Sequence, residues 1–226
     1  MSDAKPGDPL PAALFALTVV TGVIDAVSFL GLGHVFTANM TGNVVFMAFA
    51  AAGAPGLSFA RSALALLAFL VGAAIGGRFA HARPGRLASK GPAMAFALEA
   101  AILAVAACAS LGVEGGEPAL FASLVIALTG LAMGIRNATV RKLAIPDMTT
   151  TVLTLTLTGI ASDSSLAGGT NPRWKTRVAT VVLTFLGAAL GALVVRYSLS
   201  AALFGSAVIS MGAAWAVVRR AAPSPA

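Results

Sequence analysis

Gly31-Leu-Gly-His-Val-Phe-Thr-Ala-Asn-Met-Thr-Gly-Asn43 is a polar, glycine-punctuated break between long apolar runs. A second break, Leu143-Ala-Ile-Pro-Asp-Met-Thr-Thr-Thr151, puts Asp147 108 residues after Asn39. In a water-soluble chain such stretches are surface loops. Here the flanking sequence is almost wholly lipid-soluble, so the two breaks read as polar interruptions within a membrane.

The composition leads to the same environment. The chain has 226 residues, 58% hydrophobic and 10% charged, and a mean hydropathy of +0.92. A soluble domain carries roughly 25% charged residues, so the surface of this protein must face hydrocarbon. A net charge of +7 could draw nucleic acid, but Lys and Arg stand at segment ends rather than in one patch, and no nucleic-acid partner is expected. The single Cys108, with His34 and His81, forms no zinc-ligand spacing. No metal and no cofactor are expected. Asp25 interrupts the first apolar run, which argues against a cleaved signal peptide.

A spanning helix needs about 20 apolar residues. Six runs meet or approach that: 12–31, 57–80, 92–112, 119–138, 176–197 and 199–218. The shorter runs 44–53 and 152–161 follow the polar breaks and, at about 1.5 Å per residue, cover only half a bilayer. The run Val152-Leu-Thr-Leu-Thr-Leu-Thr158 alternates with period two. A lone strand in lipid leaves its backbone unpaired, so a helix with Thr150, Thr154 and Thr158 in one column is expected.

The halves repeat. Thr21-Gly22 matches Thr129-Gly130 and Asn39-Met40-Thr41 matches Asp147-Met148-Thr149 at the same offset. The third run of each half carries Gly-x-x-x-Gly, at Gly72/Gly76 and Gly187/Gly191. One membrane domain over 1–226 is expected, with repeat one at 12–112 and repeat two at 119–220. If the short runs re-enter and both termini are cytoplasmic, 13 of the 15 basic residues face the cytoplasm, leaving Arg61 and Arg196 outside. If all eight runs span, at most 8 of 15 do. The re-entrant arrangement is favoured, and three spans per half make the halves opposite in sense. The fold class is therefore all-α: a polytopic membrane helix bundle of six spanning helices and two re-entrant half-helices in an inverted repeat. That design places a site at mid-depth, between broken elements.

The candidate substrate-binding residues are Asn39, Thr41, Gly42 and Asn43 in the first break, and Asp147, Thr149, Thr150 and Thr151 in the second. They serve either as caps for the short helices or as contacts for a small polar or anionic solute at the helix starts. Asp25 shares a helix face with Thr18, Thr21, Gly22 and Ser28. A carboxylate within a span is costly and marks a functional candidate; the role expected is proton coupling, the alternative a hydrogen bond to the Asn39 arm. Glu99 pairs with Arg78 or Arg136, or reaches the cytoplasmic face. Arg136, read as the end of the fourth span, is an anion contact or an ordinary positive-inside anchor.

The blocks Gly22-Val-Ile-Asp-Ala-Val-Ser-Phe-Leu30, Phe36-Thr-Ala-Asn-Met-Thr-Gly-Asn43, Gly134-Ile-Arg-Asn-Ala138 and Thr149-Thr-Thr-Val-Leu-Thr-Leu-Thr-Leu-Thr-Gly159 resemble the YoaK-like family of bacterial inner-membrane proteins, a domain of unknown function. The resemblance covers nearly the whole chain. Arg136-Asn137 departs from the Gln-Asn typical there. The resemblance implies a bacterial multi-pass membrane protein of about this length and no activity.

An enzyme is not expected, since no nucleophile elbow, His-Glu-x-x-His, phosphate loop or cofactor fingerprint occurs. A secondary transporter or facilitator is the leading expectation; a passive channel and a non-transporting scaffold are the alternatives. The partners expected are the bilayer, a small solute and a second copy of the chain through the Gly72/Gly76 and Gly187/Gly191 faces.

Overall fold

The fold comes from a computed structural model that describes residues 8–80, 91–115, 118–143 and 153–221. Its helices are α1 (Leu10–Ala26), α2 (Met40–Ala51), α3 (Phe59–Ala80), α4 (Gly91–Glu114), α5 (Pro118–Leu143), α6 (Leu153–Ser162), α7 (Trp174–Val195) and α8 (Leu199–Ala221). Among the described residues six of these are long and apolar enough to cross a membrane, and α2 and α6 are not. α1 continues through a π-helical turn, Val27–Gly31. The alternating Thr-Leu run is helical, as lipid demands of a segment with no strand partner. Its buried hydroxyl residue is Thr156, however, with Thr154 and Thr158 outward.

The helices pair across the halves. α1 packs on α7 and α3 on α5; α4 packs on α8; α4 also meets α5, as α1 meets α8; α2 packs on α3 and α6 on α7. Exchanging each element of one half for its counterpart in the other returns the same set of pairs. Without a hydrophobic drive between helices in lipid, such contacts depend on close backbone approach. A Cβ on Gly22 would strike the Thr184 carbonyl, and one on Gly134 the Phe69 carbonyl. Gly72 and Gly76 lie against Leu131 and Ile135, and Gly187 and Gly191 against Val19 and Val23. This corrects the expectation of a homo-oligomer through those glycines: both faces are filled within the chain.

The direction of each helix follows from its neighbours. One apolar cluster joins the starts of α1 and α4 to the ends of α5 and α8, through Leu10, Leu14, Ala93, Phe96, Val140 and Val217. A second, toward the other end, joins Val27, Leu32, Leu103, Ala122, Val125 and Leu199. There Glu114 accepts from the Leu199 N–H at 2.6 Å and the Ser200 N–H at 3.1 Å, capping α8 with a charge of the favoured sign. α4 and α8 therefore run antiparallel, as do α1 and α5.

α1 leaves the bundle where α3 begins, since Arg61 of α3 donates to the Leu32 carbonyl at 3.4 Å. The segment between them, including α2, starts and finishes at one end and re-enters rather than crosses. At the opposite end Arg177 of α7 holds Asp163, just past α6, at 2.7 Å. The fourth span is longer than its hydropathy suggests. α5 runs through to Leu143 and carries Arg136 inside the bundle, so Arg136 is no segment-end anchor.

In a Cys108→Ser background, cysteines at positions 34, 54 and 115 should react with a membrane-impermeant maleimide from one side, and those at 141 and 169 from the other. Labelling of 34 and 54 from opposite sides would mean that α2 crosses.

Candidate functional site

At the end of α1 the chain turns through Gly33 and His34, both at positive φ (91° and 60°). It then runs back beside α1 as an arm, 35–39. The arm is held by three aromatic rings: Phe29 stacks on Phe36 with centroids 5.2 Å apart, and Phe36 on Phe46 at 5.7 Å. Asn43, fully buried, completes the clasp. Its Oδ1 accepts the Phe36 N–H at 2.9 Å and its Nδ2 donates to the Phe36 carbonyl. A side-chain amide carries an acceptor oxygen and donor N–H groups side by side, so one residue can serve both the N–H and the C=O of Phe36. Gly42 is needed because a Cβ there would lie 2.8 Å from the Phe36 ring. Two residues expected to bind solute therefore shape the re-entrant turn itself.

Asn39 does stand at the N-cap of α2, in an extended conformation, but its side chain makes no capping hydrogen bond. Asn39 and Thr41 are both outward-facing. Asp147, Thr149, Thr150 and Thr151 lie outside the described residues. The start of α2 is shallower than expected. Ala38, next to the N-cap, is level with Asp25, whose carboxyl its backbone N–H faces. Asp25 is six residues before the end of the π turn, about 9 Å along the helix axis. That is roughly a third of the hydrocarbon depth of about 30 Å rather than its middle.

Asp25 shares its face with four buried residues, Thr18, Thr21, Gly22 and Ser28. The three hydroxyls donate to carbonyls of their own helix, at 2.8–3.0 Å to Leu14, Leu17 and Ile24. Asp25 itself is the exception on this face. Its Oδ1 is buried and accepts no hydrogen bond among the described residues. Thr37, on the arm and fully buried, is in the same position through its Oγ1. Buried polar atoms of this kind are rare and call for an explanation.

The charges deeper in the bundle are satisfied. Glu99 of α4 and Arg136 of α5 are both wholly buried and form an ion pair. Arg136 Nε donates to Glu99 Oε2 at 3.0 Å and Nη2 to Oε1. Nη1 donates to the Leu17 carbonyl at 2.9 Å and to Thr21 Oγ1 at 3.0 Å, both on α1. Ser210 of α8 donates to Glu99 Oε1 at 2.6 Å and lies 3.4 Å from Arg136 Nη2. The five guanidinium N–H groups are thus all occupied, and none remains for a solute anion in this arrangement. Of the two partners foreseen for Glu99, the structure selects Arg136. Ser210, Thr37 and the clasp by Asn43 carry no signal in the sequence beyond being polar in apolar runs.

Arg136→Met should destabilise the protein by about 3–5 kcal/mol, because it strands a buried carboxylate. The double variant Glu99→Leu/Arg136→Met, which strands neither charge, should recover most of that loss. Unfolding in mixed micelles measures both.

The family described as "Protein of unknown function (DUF1275)" matches residues 13–216. The chain is also 36% identical, over 152 residues, to the UPF0700 transmembrane protein YoaK of Bacillus subtilis (strain 168). That match covers 67% of this chain and 66% of the Bacillus protein, slightly under two thirds of its length. No solved structure matches. With nearly all of its helical bundle inside the matched region, the chain belongs to the DUF1275 family and is a multi-pass membrane protein.

Proposed function

We propose that this protein is a secondary transporter or facilitator, not an enzyme, for a small polar or anionic solute. Its setting would be the bacterial inner (cytoplasmic) membrane, with both termini cytoplasmic. The distribution of cations supports that orientation. Arg78, Arg141, Lys142, Lys175 and Arg219 belong to the end where α1 begins and α8 finishes, against Arg61 and Arg196 at the other.

The observation that carries the reading is Asp25, a carboxylate in a span with one buried oxygen left over, beside the start of a re-entrant helix. A group used only for stability would have both oxygens satisfied, as Glu99 does. Non-helical backbone at this depth is tolerated where protein or a wet cavity covers it. The solute site would lie beside the start of α2, with Asp25 carrying the coupling proton.

In pyranine-loaded proteoliposomes, inward gradients of nitrate, chloride or glycine test the reading by their effect on proton entry. At least one should drive entry in the wild type. Asp25→Asn should slow it by about tenfold or more, within the range over which a positioned proton-transfer group acts. Unchanged proton entry in that variant would remove the coupling role.

A further inference from the structure

A groove of about 300 Å³ lies between the start of α4 and the end of α8. Ala93 and Ala97 of α4 and Ala214 of α8 form its floor, where small side chains leave room. Met94 and Trp215, both about half-exposed, form its walls and open it to the lipid side of the bundle. The lining positions on α8 run from 211 to 218, about 10 Å along the axis. One leaflet's hydrocarbon is roughly 15 Å deep, half the core. The groove therefore follows much of the length of an acyl chain entering from the nearer membrane surface.

Arg219 stands at the surface end of this groove, one turn beyond Trp215. Its guanidinium carbon lies 3.5 Å from the centre of the Trp215 ring. At that distance the guanidinium rests on the ring's face, an attraction that fixes its position. The in-plane N–H groups stay available, and their fork matches the oxygens of a phosphate. Among the described residues no carboxylate pairs with Arg219. The carboxylates described at this end are engaged elsewhere: Asp8 accepts the Leu10 N–H at 3.0 Å and Asp163 holds Arg177 at 2.7 Å. Neither 81–98 nor 211–226 contains an Asp or Glu, while Arg83, Arg86, Lys90 and Arg220 add positive charge to those stretches. An apolar groove thus ends at a positioned cation that has no internal counter-ion.

We infer that the α4–α8 groove and Arg219 form one binding site for an anionic phospholipid: an acyl chain lies along the groove and the phosphodiester sits on the Arg219 fork. Basic positions between spanning helices are suited to anionic headgroups, and here the same two helices also shape a bed for the chain. A Trp and an Arg acting only as interfacial anchors would need no groove between them. The site is separate from Asp25 and the re-entrant arm, and it does not depend on the carrier reading.

The test uses the full chain with Trp174→Phe, which leaves Trp215 as the single indole of the two in the sequence. The protein is reconstituted in phosphatidylcholine vesicles doped with lipid carrying brominated acyl chains, which quench Trp215 on contact. Brominated phosphatidylglycerol should occupy the site about fivefold more readily than brominated phosphatidylcholine at equal mole fraction, the effect of one cation near the surface. Arg219→Gln should bring the two lipids close to parity. Arg219→Lys should keep only part of the preference, since an ammonium lacks the fork. Ala97→Phe, which fills the groove and leaves Arg219 in place, should also reduce the preference; Ala97→Leu serves if that variant does not fold. Equal quenching by the two lipids in the starting protein would overturn the proposal. So would a preference that survives Arg219→Gln or the filled groove, which would mark a general attraction of anionic lipid to the basic end of the bundle.

Discussion

Two opposite charges, Glu99 and Arg136, sit in the bundle with no exposure to solvent or lipid, and the arrangement of four helices depends on keeping them satisfied. Either charge alone would cost several kcal/mol to bury. Together they need acceptors and donors from α1 and α8 as well, supplied by Leu17, Thr21 and Ser210. α1 and α4 come from one half of the chain, α5 and α8 from the other. The pair therefore fixes how the halves meet, while glycines at the α1–α7 and α3–α5 contacts set how closely the helices approach.

The contrast with Asp25 gives the functional argument its force. Both carboxylates lie in apolar spans of one small bundle, and only Glu99 has a cation and a hydroxyl on its oxygens. Asp25 faces a backbone N–H on a segment that leaves and re-enters at one end, and its other oxygen is left over. That segment is not loosely held. The rings of Phe29, Phe36 and Phe46 and the two-sided bond from Asn43 fix the arm against α1, so the unused oxygen sits beside an ordered backbone.

Much of this was legible in the sequence because lipid simplifies the problem. Apolar length alone locates the six spans, and a period-two threonine pattern still becomes helix where no strand partner exists. The shift of cations toward one end, together with the two short runs, indicates re-entry. The remainder was hidden for identifiable reasons. Hydropathy ends the fourth span at residue 138, since it counts Arg136 as a boundary; in the structure Glu99 pays for its burial and α5 continues to Leu143. Asn43 looks like a solute ligand by composition, but which backbone it meets depends on the fold of the arm. Asn39 has a cap's residue type without a cap's bond. Gly-x-x-x-Gly shows that a close helix contact exists, not whether the partner is another chain.

If Asp25 is a working titratable group rather than a buried remnant, its carboxyl must change protonation within the folded protein. Infrared difference spectroscopy between acid and alkaline states of the reconstituted protein reports this directly. A carboxylic-acid carbonyl band in a dry environment should appear on acidification in the wild type and be missing from Asp25→Asn. The same band present at full strength in that variant would contradict the account.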